Sequence, residues 1–248
     1  MDPLLQIQSL SLSYHQKNGE TRALRDINLT VKKGQFISIL GPSGCGKSTL
    51  LSAIAGLDHP SEGTITLNSP AKAVGYMFQH DLLLEWRSVL QNACLGLEVR
   101  RALNDDTKAY VMVLLNAYGL GSFMNHKPSQ LSGGMRQRVA LVRTLALKPE
   151  LLLLDEPYSA LDYQTRLTVA DEIWRILRAS GKTALLVTHD ISEAISLGDR
   201  VVILSRRPGH IIKDIPIDLG SDRTPLACRS LPAFQNYFQT IWEVMQHA

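Results

Sequence analysis

The sequence lacks the features of a secreted, membrane-spanning or disulfide-stabilised chain. Its longest uninterrupted run of apolar residues, from Ala109 to Leu115, has seven members, whereas a helix that crosses a bilayer needs about 20. The opening MDPLLQIQSL has no basic segment followed by an apolar core, so we expect no secretory signal. The three cysteines are scattered, which argues against a disulfide framework and fits a reducing, cytosolic compartment.

The sequence also has little net charge. Its 26 lysines and arginines against 23 aspartates and glutamates leave a formal charge of +3, which is too small to indicate nucleic-acid binding by itself. Internal repeats, low-complexity tracts and long heptad patterns are missing as well. The 248 residues, 45% of them hydrophobic, suffice for one large domain or two small ones with a sizeable core.

Short apolar runs of strand length alternate with longer helical patterns. The runs lack an apolar–polar alternation, as expected for strands that are covered on both faces. Helices are predicted at 47–55 and 165–180, each followed by a glycine, Gly56 or Gly181, that suits a helix end. The strand candidates are 36–40, 151–154, 184–188 and 201–204. This order predicts an α/β fold with a largely parallel sheet.

Three regions depart from this alternation. Residues 88–147 are mostly helical, with caps at Ser88 and Asn104 and a stop at Gly119, and predict a helical subdomain inserted into the core. Near the N-terminus, leucines that alternate with serines predict a half-buried strand. Residues 220–225 are predicted to form a loop. After it comes a helix with one apolar stripe, which we expect to pack on its own domain. The members of this stripe are Phe234, Tyr237, Phe238, Ile241, Trp242 and Met245.

A phosphate-binding loop is predicted between the strand 36–40 and the helix 47–55. The segment Gly41-Pro42-Ser43-Gly44-Cys45-Gly46-Lys47-Ser48 matches GxxxxGK[ST] in full, and a strand before it and a helix after it are the context that supports the motif. The glycines let backbone N–H groups point at phosphate oxygens, and the helix start adds its positive dipole end. Lys47 is expected to reach the β- and γ-phosphates, Ser48 to coordinate Mg²⁺, and Thr49 to bond the α-phosphate. This loop alone does not separate an ATPase from a GTPase or a kinase.

Two interpretations of Cys45 in this loop stay open. A helix start can lower the pKa of a thiol and make it sensitive to oxidation. Alternatively, the side chain is a neutral filler of the loop.

Polar residues follow two of the predicted buried strands. Asp155, at the tip of the strand 151–154, is placed to hold Mg²⁺, and Glu156 is placed to orient the attacking water. The alternative is a strand that ends in a solvated acidic turn. His189 follows the strand 184–188 at the sheet edge where such folds bind ligands, where it could bond the γ-phosphate or the attacking water. The alternative is a structural histidine.

A second anion-binding helix start is predicted in the helical region. Leu131-Ser132-Gly133-Gly134-Met135, the signature segment, precedes a predicted helix over 136–147 and offers a hydroxyl, two glycines and free N–H groups. One nucleotide needs only one phosphate loop, so a second anion site suggests that it serves the nucleotide of another copy. A capped helix with a flexible entry is the other interpretation. The segment resembles the LSGGQ signature of ATP-binding cassette (ABC) proteins, with Met135 in place of glutamine.

The order of the motifs extends this resemblance over about residues 5–220. Tyr14, the phosphate loop, Gln79, the signature segment, LLLLDEP, Ser159-Ala160-Leu161-Asp162 and His189 stand in the order of the ABC family. The resemblance implies a P-loop NTPase core of about 1–87 and 148–220 with N-terminal antiparallel β strands. It also implies a helical subdomain over about 88–147 and a C-terminal helix within 221–248, all in one domain.

The resemblance also implies residue roles. Glu156 is the general base, with Lys47, Gln79 and His189 as further catalytic residues, and Ser48, Gln79 and Asp155 are the metal-binding residues. Tyr14 stacks on adenine, the alternative being an aromatic that only packs on a half-buried strand, and Asp162 crosses a dimer interface. The remaining nucleotide contacts are Gly41, Pro42, Ser43, Gly44, Cys45, Gly46, Thr49, Ser132, Gly133 and Gly134.

Partners follow from the same resemblance. It implies a head-to-tail dimer that holds two ATP molecules with Mg²⁺, and a peripheral position on the cytoplasmic face of the cell membrane. The leucines and tryptophan of the docking segment, Gln79–Ser88, are predicted to receive a permease helix or to fill the core of the helical subdomain. An extracytoplasmic substrate-binding protein is expected as an indirect partner, and nucleic acid is not expected.

The docking segment also points to a subgroup. FQHDLLLEW and the segment Ser205-Arg206-Arg207-Pro208-Gly209-His210 resemble the importer ATPases for nitrate, sulfonate and taurine, a group that includes importers of pyrimidine precursors of thiamine. Members often have proline where Glu85 stands. Three alternatives stay open: an exporter ATPase, a soluble ABC ATPase of DNA repair or translation, and an unrelated phosphate-loop GTPase or kinase.

Overall fold

The structure is a computed structural model that describes residues 3–16, 19–69, 74–159, 161–220 and 223–248. The strands are β1 (Leu5–Gln16), β2 (Gly19–Val31), β3 (Phe36–Leu40), β4 (Glu62–Leu67), β5 (Val74–Met77), β6 (Leu151–Asp155), β7 (Thr183–Thr188), β8 (Arg200–Leu204) and β9 (Ile211–Pro216). The α-helices are α1 (Lys47–Ile54), α2 (Val89–Val99), α3 (Asp105–Ala117), α4 (Gly133–Leu145), α5 (Tyr163–Ala179), α6 (Ile191–Leu197) and α7 (Pro232–Gln246). Strands and helices alternate as predicted from β6 to β8.

A six-stranded sheet forms the centre, in the order β5-β6-β7-β3-β8-β9. The first five strands pair in parallel, and β9 is an antiparallel edge strand. All residues of β3, β6 and β7 are buried, because helices or the second sheet cover both faces of these strands. The absence of alternation in the sequence is thereby explained, and the carboxyl ends of β3, β6 and β7 meet at one edge.

A three-stranded antiparallel sheet, β2-β1-β4, covers one side of the core. Leu10, Leu12 and Leu24 from this sheet share a buried cluster with Ile37 of β3 and Leu50 of α1. The packing therefore fixes the antiparallel sheet beside the start of α1. The predicted fold class, an α/β core with antiparallel N-terminal strands and added helices, is confirmed.

The helices between residues 88 and 147 begin at side-chain caps. The Ser88 side chain accepts from the backbone N–H of Gln91, and Asn104 does the same for Thr107, each within a reciprocal capping box. Such boxes satisfy two otherwise unpaired N–H groups at a helix start. Gly119, with φ +70°, follows α3 in a left-handed conformation that favours glycine. The subdomain boundaries themselves stay a prediction.

Helix α7 carries the predicted C-terminal stripe. Phe234 and Ile241 are buried in a cluster shared with α6, and Tyr237 and Met245 pack against its edge. Trp242 departs from the prediction, because 51% of it is exposed. In the predicted loop at 220–225, residues 221 and 222 lie outside the described part of the chain. Within the described part, no helix has both the length and the apolar character of a bilayer span.

Candidate nucleotide-binding site

A cleft of about 470 Å³ opens where the phosphate loop meets the carboxyl edge of the central sheet. It draws together residues that are far apart in the sequence, from β2 to the loop after β8. The lining residues are Ala23, Ser43, Gly44, Gly46, Lys47, Ser48, Thr49, Gln79, Glu156, His189 and Arg207. Six of them belong to the segment 41–49 that the sequence assigns to phosphate binding.

The phosphate loop has the backbone geometry that its glycines permit. Gly44 and Gly46 have φ values of +74° and +111°, in the region that side chains disfavour. At Gly46 space is restricted as well, because a Cβ atom would lie 2.7 Å from Leu24 Cδ2. Lys47 is buried, and its Nζ donates to the carbonyl oxygens of Gly41 and Pro42 at 2.8 and 2.9 Å. An ammonium group has three donors, so a third remains for a phosphate oxygen.

Cys45 faces the core rather than the cleft. It is 2% exposed, and its Sγ lies 2.9 Å from the place where a Cβ on Gly41 would be. Burial raises the pKa of the thiol, which opposes the thiolate form that oxidants attack. The structure therefore favours the filler over the redox-sensitive thiol.

Ser48 and Asp155 offer adjacent oxygen donors for a cation. Ser48 Oγ donates to Asp155 Oδ1 at 3.0 Å, and Tyr76 donates to Asp155 Oδ2 at 3.3 Å. Burial raises the pKa of Asp155 and that of Tyr76, the latter to about 12. A hydroxyl and a carboxylate are the ligand types that Mg²⁺ prefers, with water completing its shell, so this pair fits the cation. No group of three or more His, Cys, Asp or Glu side chains in the described chain could hold a metal by itself.

Glu156 stands at the centre of the polar side of the cleft. Gln79 Nε2 lies 3.3 Å and His189 Nδ1 3.2 Å from its Oε2 atom. Its backbone has φ +43°, and its N–H donates to Val187 O on the neighbouring strand at 2.9 Å. A left-handed glutamate costs free energy and persists where surrounding contacts hold it. The structure thus brings together Gln79, Glu156 and His189. The predicted contact of Gln79 with Mg²⁺ stays a prediction.

The signature segment lies apart from this cleft. Ser132 is exposed and accepts a hydrogen bond from the backbone N–H of Met135 at 3.3 Å. The predicted helix start at 136 is therefore wrong by three residues, because Gly133 and Gly134 already belong to the first turn of α4. Gly134 is also packed, since a Cβ there would lie 3.1 Å from Thr165 Cγ2. None of residues 132–134 lines the cleft of its own chain within the described residues.

Asp162 caps the next helix. Its Oδ1 accepts from the backbone N–H of Thr165 at 3.1 Å, and the hydrogen bonds from Thr165 lower the pKa of this exposed carboxyl. Helix α5 accordingly begins at Tyr163, two residues before the predicted start. Ala160, which belongs to the same motif, lies outside the described residues.

Tyr14 makes a contact that the sequence did not predict. Its hydroxyl donates to Asp58 Oδ2 at 3.0 Å, and burial raises its pKa. The ring packs against the cluster below the antiparallel sheet, and Tyr14 is absent from the described lining of the cleft. Stacking on adenine therefore stays a prediction.

Two lining residues, Ala23 and Arg207, were missed by sequence reasoning. In the sequence, the segment around Arg207 carries only the resemblance to the importer subgroup. In the structure, Gly209 N donates to Ala23 O and Arg25 N donates to Gly209 O, each at 2.9 Å. These bonds hold the loop after β8 against β2. Because β2 and β8 are distant in sequence, the Pro-Gly turn was the one available signal, and it does not reveal this contact.

The docking segment divides its apolar residues between core and surface. Leu83 is buried, whereas Leu82 and Trp86 are 56% and 72% exposed. The two sequence interpretations thus apply to different residues. The segment is also fixed to α4, because Arg136 pairs with Asp81 at 2.8 Å.

These features define an α/β nucleotide-binding protein of the phosphate-loop class. A family model described as ABC transporter matches residues 24–159, more than half of the chain. The chain therefore belongs to the ABC transporter family.

Known proteins similar to this chain agree with the family and with the predicted subgroup. The ABC transporter ATP-binding protein YtlC of Bacillus subtilis is 47% identical over 246 residues, covering 96% of this chain and 94% of YtlC. The taurine import ATP-binding protein TauB of Pelagibacter ubique is 39% identical over 244 residues, covering 96% and 92%. The resemblance to the nitrate, sulfonate and taurine group is thus confirmed.

Solved structures agree as well. The ATP-binding cassette MJ0796, a dimer in a post-hydrolysis state bound to ADP and Pi, is similar with a TM-score of 0.76 and 32% identity. The match covers 86% of this chain and 99% of that chain.

Proposed function

We propose that this chain is the ATP-hydrolysing subunit of an importer and that ATP closes two copies of it head to tail. The observation that carries the proposal is the arrangement of Glu156 between Gln79 and His189, facing a cleft whose other wall is the phosphate loop. A carboxylate held beside a triphosphate-binding loop is positioned to accept a proton from water. The reaction converts ATP and water into ADP and phosphate.

Each side chain has a distinct part in this reaction. Lys47 binds the β- and γ-phosphate oxygens through the donor that its two carbonyl bonds leave. Glu156 accepts the proton of the attacking water while Gln79 orients its carboxylate. With Nδ1 of His189 directed at Glu156, Nε2 is the ring nitrogen that meets the γ-phosphate. When bound by Ser48 and Asp155, Mg²⁺ supplies positive charge to the phosphate oxygens.

The second copy completes the cleft. The exposed start of α4 at Ser132 is an anion-binding element that its own cleft does not use. In a head-to-tail pair, the γ-phosphate of ATP would lie between Lys47 of one copy and Ser132 of the other. Hydrolysis removes this bridge and lets the copies separate, which makes the dimer a nucleotide-controlled switch. The dimeric state of the similar cassette MJ0796 supports this arrangement.

The opening and closing of this dimer drives a conformational change in a permease. The exposed Leu82 and Trp86 lie on the docking segment that begins at Gln79, so a permease helix seated there would sense the contents of the cleft. The chain would then be a peripheral protein of the cytoplasmic membrane face, and an extracytoplasmic binding protein would deliver the cargo. Similarity to taurine import proteins favours import over export, and small anions such as nitrate, sulfonates or taurine, or pyrimidine precursors, as cargo.

Replacing Glu156 by glutamine tests the proposal. We expect Glu156→Gln to lose turnover by about 10²–10⁴-fold, as for removal of a general base, and to keep ATP binding. Because hydrolysis no longer removes the γ-phosphate, the variant should form a stable dimer with ATP and Mg²⁺, which analytical ultracentrifugation would detect. ADP serves as the control and should leave it monomeric. A variant that stays monomeric at saturating ATP would contradict the head-to-tail assignment.

A further inference from the structure

The loop between β8 and β9 brings a cation into the nucleotide cleft. Arg207 lines the cleft, and its Nε donates to the carbonyl oxygen of Arg22 at 3.4 Å. Its side chain is exposed, and no carboxylate in the described chain forms an ion pair with it. The neighbouring Arg206 is exposed too but does not belong to the lining. The two arginines therefore differ in position while they share charge and flexibility.

This loop is held firmly against the phosphate loop. Gly209 bonds to Ala23 and Arg25 of β2, and a Cβ on Gly209 would lie 2.2 Å from the carbonyl oxygen of Cys45. Such a close backbone approach requires glycine. The Ser205 side chain braces the turn by accepting from His210 N at 3.0 Å and donating to Pro208 O at 3.2 Å. The loop thus presents Arg207 from a rigid base.

Arg207 enters the cleft from the side of β2, where its Nε bonds to Arg22 O. Gln79 and His189 each contact the Glu156 carboxylate, which follows β6 at the carboxyl edge of the sheet, where the γ-phosphate is expected. Arg207 instead lies with Ala23 beside β2, and its charge also acts on the Tyr14 phenol. Thr49, which the sequence assigns to the α-phosphate, shares the lining.

We propose that Arg207 is a nucleotide-binding residue whose guanidinium bonds the α-phosphate. A guanidinium matches phosphate oxygens in both charge and geometry, and Arg207 has its charge free for this contact. The inference rests on the proposed ATP-binding function. It adds a contact from a segment that resembles the importer subgroup but to which the sequence assigns no nucleotide contact.

The test compares Arg207→Ala with Arg206→Ala as a matched control. Dissociation constants are measured by isothermal titration calorimetry, for ADP in the wild-type background and for ATP in the Glu156→Gln background. We expect Arg207→Ala to weaken both nucleotides by about tenfold, equally for ATP and ADP because the contact is at the α-phosphate. Arg206→Ala should change affinity by less than about twofold, since it removes the same charge outside the cleft. Arg207→Lys, which keeps the charge but not the planar guanidinium, should recover part of the affinity.

Four results would overturn the inference. These are unchanged affinity in Arg207→Ala, an equal loss in Arg206→Ala, a loss confined to ATP, and no recovery in Arg207→Lys. The second result would assign the effect to the general positive field of the turn, and the third to the γ-phosphate. Failure of the proposed function itself is distinguishable, because the chain with both arginines intact would then bind neither nucleotide.

Discussion

The sequence predicts that the starts of α1 and α4 both bind anions, and the chain holds these two helix starts in different ways. At α1, Lys47 is buried and bonded to two carbonyls, and Gly46 packs against Leu24. At α4, the exposed Ser132 makes a cap bond to Met135 N. The first helix start is one wall of a cleft, whereas the second belongs to an open surface.

We interpret this difference as that of one nucleotide site whose two walls come from two copies of the chain. The cleft already has its loop, its carboxylates and its histidine in contact within one copy. At the α4 start, the described residues 132–134 do not line this cleft, and Ser132 is exposed. Under the proposed head-to-tail arrangement, this exposed helix start would close the cleft of a second copy.

The sharpest test separates the two helix starts by mutation and recombines them. Ser132→Asp keeps a good N-cap residue but places negative charge opposite the partner's triphosphate, and we expect a loss of turnover of about 100-fold, or roughly 2.7 kcal/mol of barrier. Lys47→Ala should be at least as inactive. In an equal mixture of the two variants, half of the dimers contain one copy of each. Each mixed dimer has one intact site, formed by Lys47 of the Ser132→Asp copy and Ser132 of the Lys47→Ala copy. Up to about a quarter of wild-type turnover should therefore return.

The control for this mixture is Ser132→Asn, which caps α4 without a charge and should stay within a few-fold of wild type. Steady-state phosphate release measures all variants. If the mixture remains as inactive as its components while both variants are folded, the cleft and the signature segment do not meet between copies.

A buried carboxyl, that of Glu193, lies next to the strand end that carries His189. Thr188 donates to the carboxyl of Glu193, and burial raises the pKa of Glu193 from 4.5 to about 7. Between these values the folded protein binds more protons than the unfolded chain, so this group's contribution to stability falls as pH rises from about 4.5 to 7 and is constant above. We expect Glu193→Gln, which stays neutral, to lack this loss, worth on the order of 1–3 kcal/mol.

Urea unfolding at pH 5 and pH 8 checks this prediction. Relative to wild type, Glu193→Gln should be more stable at pH 8 than at pH 5. A constant difference between the two pH values would mean that Glu193 titrates alike in the folded and unfolded chain.

The smallest expected effect concerns a helix of the region around the signature segment. Asn104→Ala removes the cap at the start of α3, where Asn104 Oδ1 accepts from Thr107 N at 2.9 Å. We expect a loss of about 1 kcal/mol in the free energy of unfolding and unchanged ADP affinity, because the cleft is elsewhere. Asn104→Asp, another good cap, should retain stability. A marked loss of ADP affinity in Asn104→Ala would show that the cleft depends on the helical region more than the structure indicates.

Sequence reasoning succeeded where the signal is local. The phosphate loop, Asp155, Glu156 and His189 each follow an apolar run that folds into a central strand, and parallel strands bring their carboxyl ends together. The strand at 151–154 was predicted within one residue, because no polar residue interrupts it. Methionine at position 135 instead of glutamine did not prevent recognition of the family, because the other motifs stand in the order of the ABC family.

The remaining features depend on contacts between distant segments. Strand β4 was missed because its residues are exposed or half-buried and give no apolar run. Arg207 reaches the cleft only because Gly209 bonds to β2, a pairing that no spacing encodes. The contact between Tyr14 and Asp58 likewise follows from how the antiparallel sheet packs on α1.

Specific ATPase activity of the isolated chain, measured over a wide range of protein concentration, tests whether each catalytic site is formed by two copies. If each catalytic site needs the signature segment of a second copy, activity per molecule should fall as dilution separates the dimers, and it should approach zero at the lowest concentrations. Activity per molecule that stays constant down to concentrations at which sedimentation shows only monomers would contradict the claim.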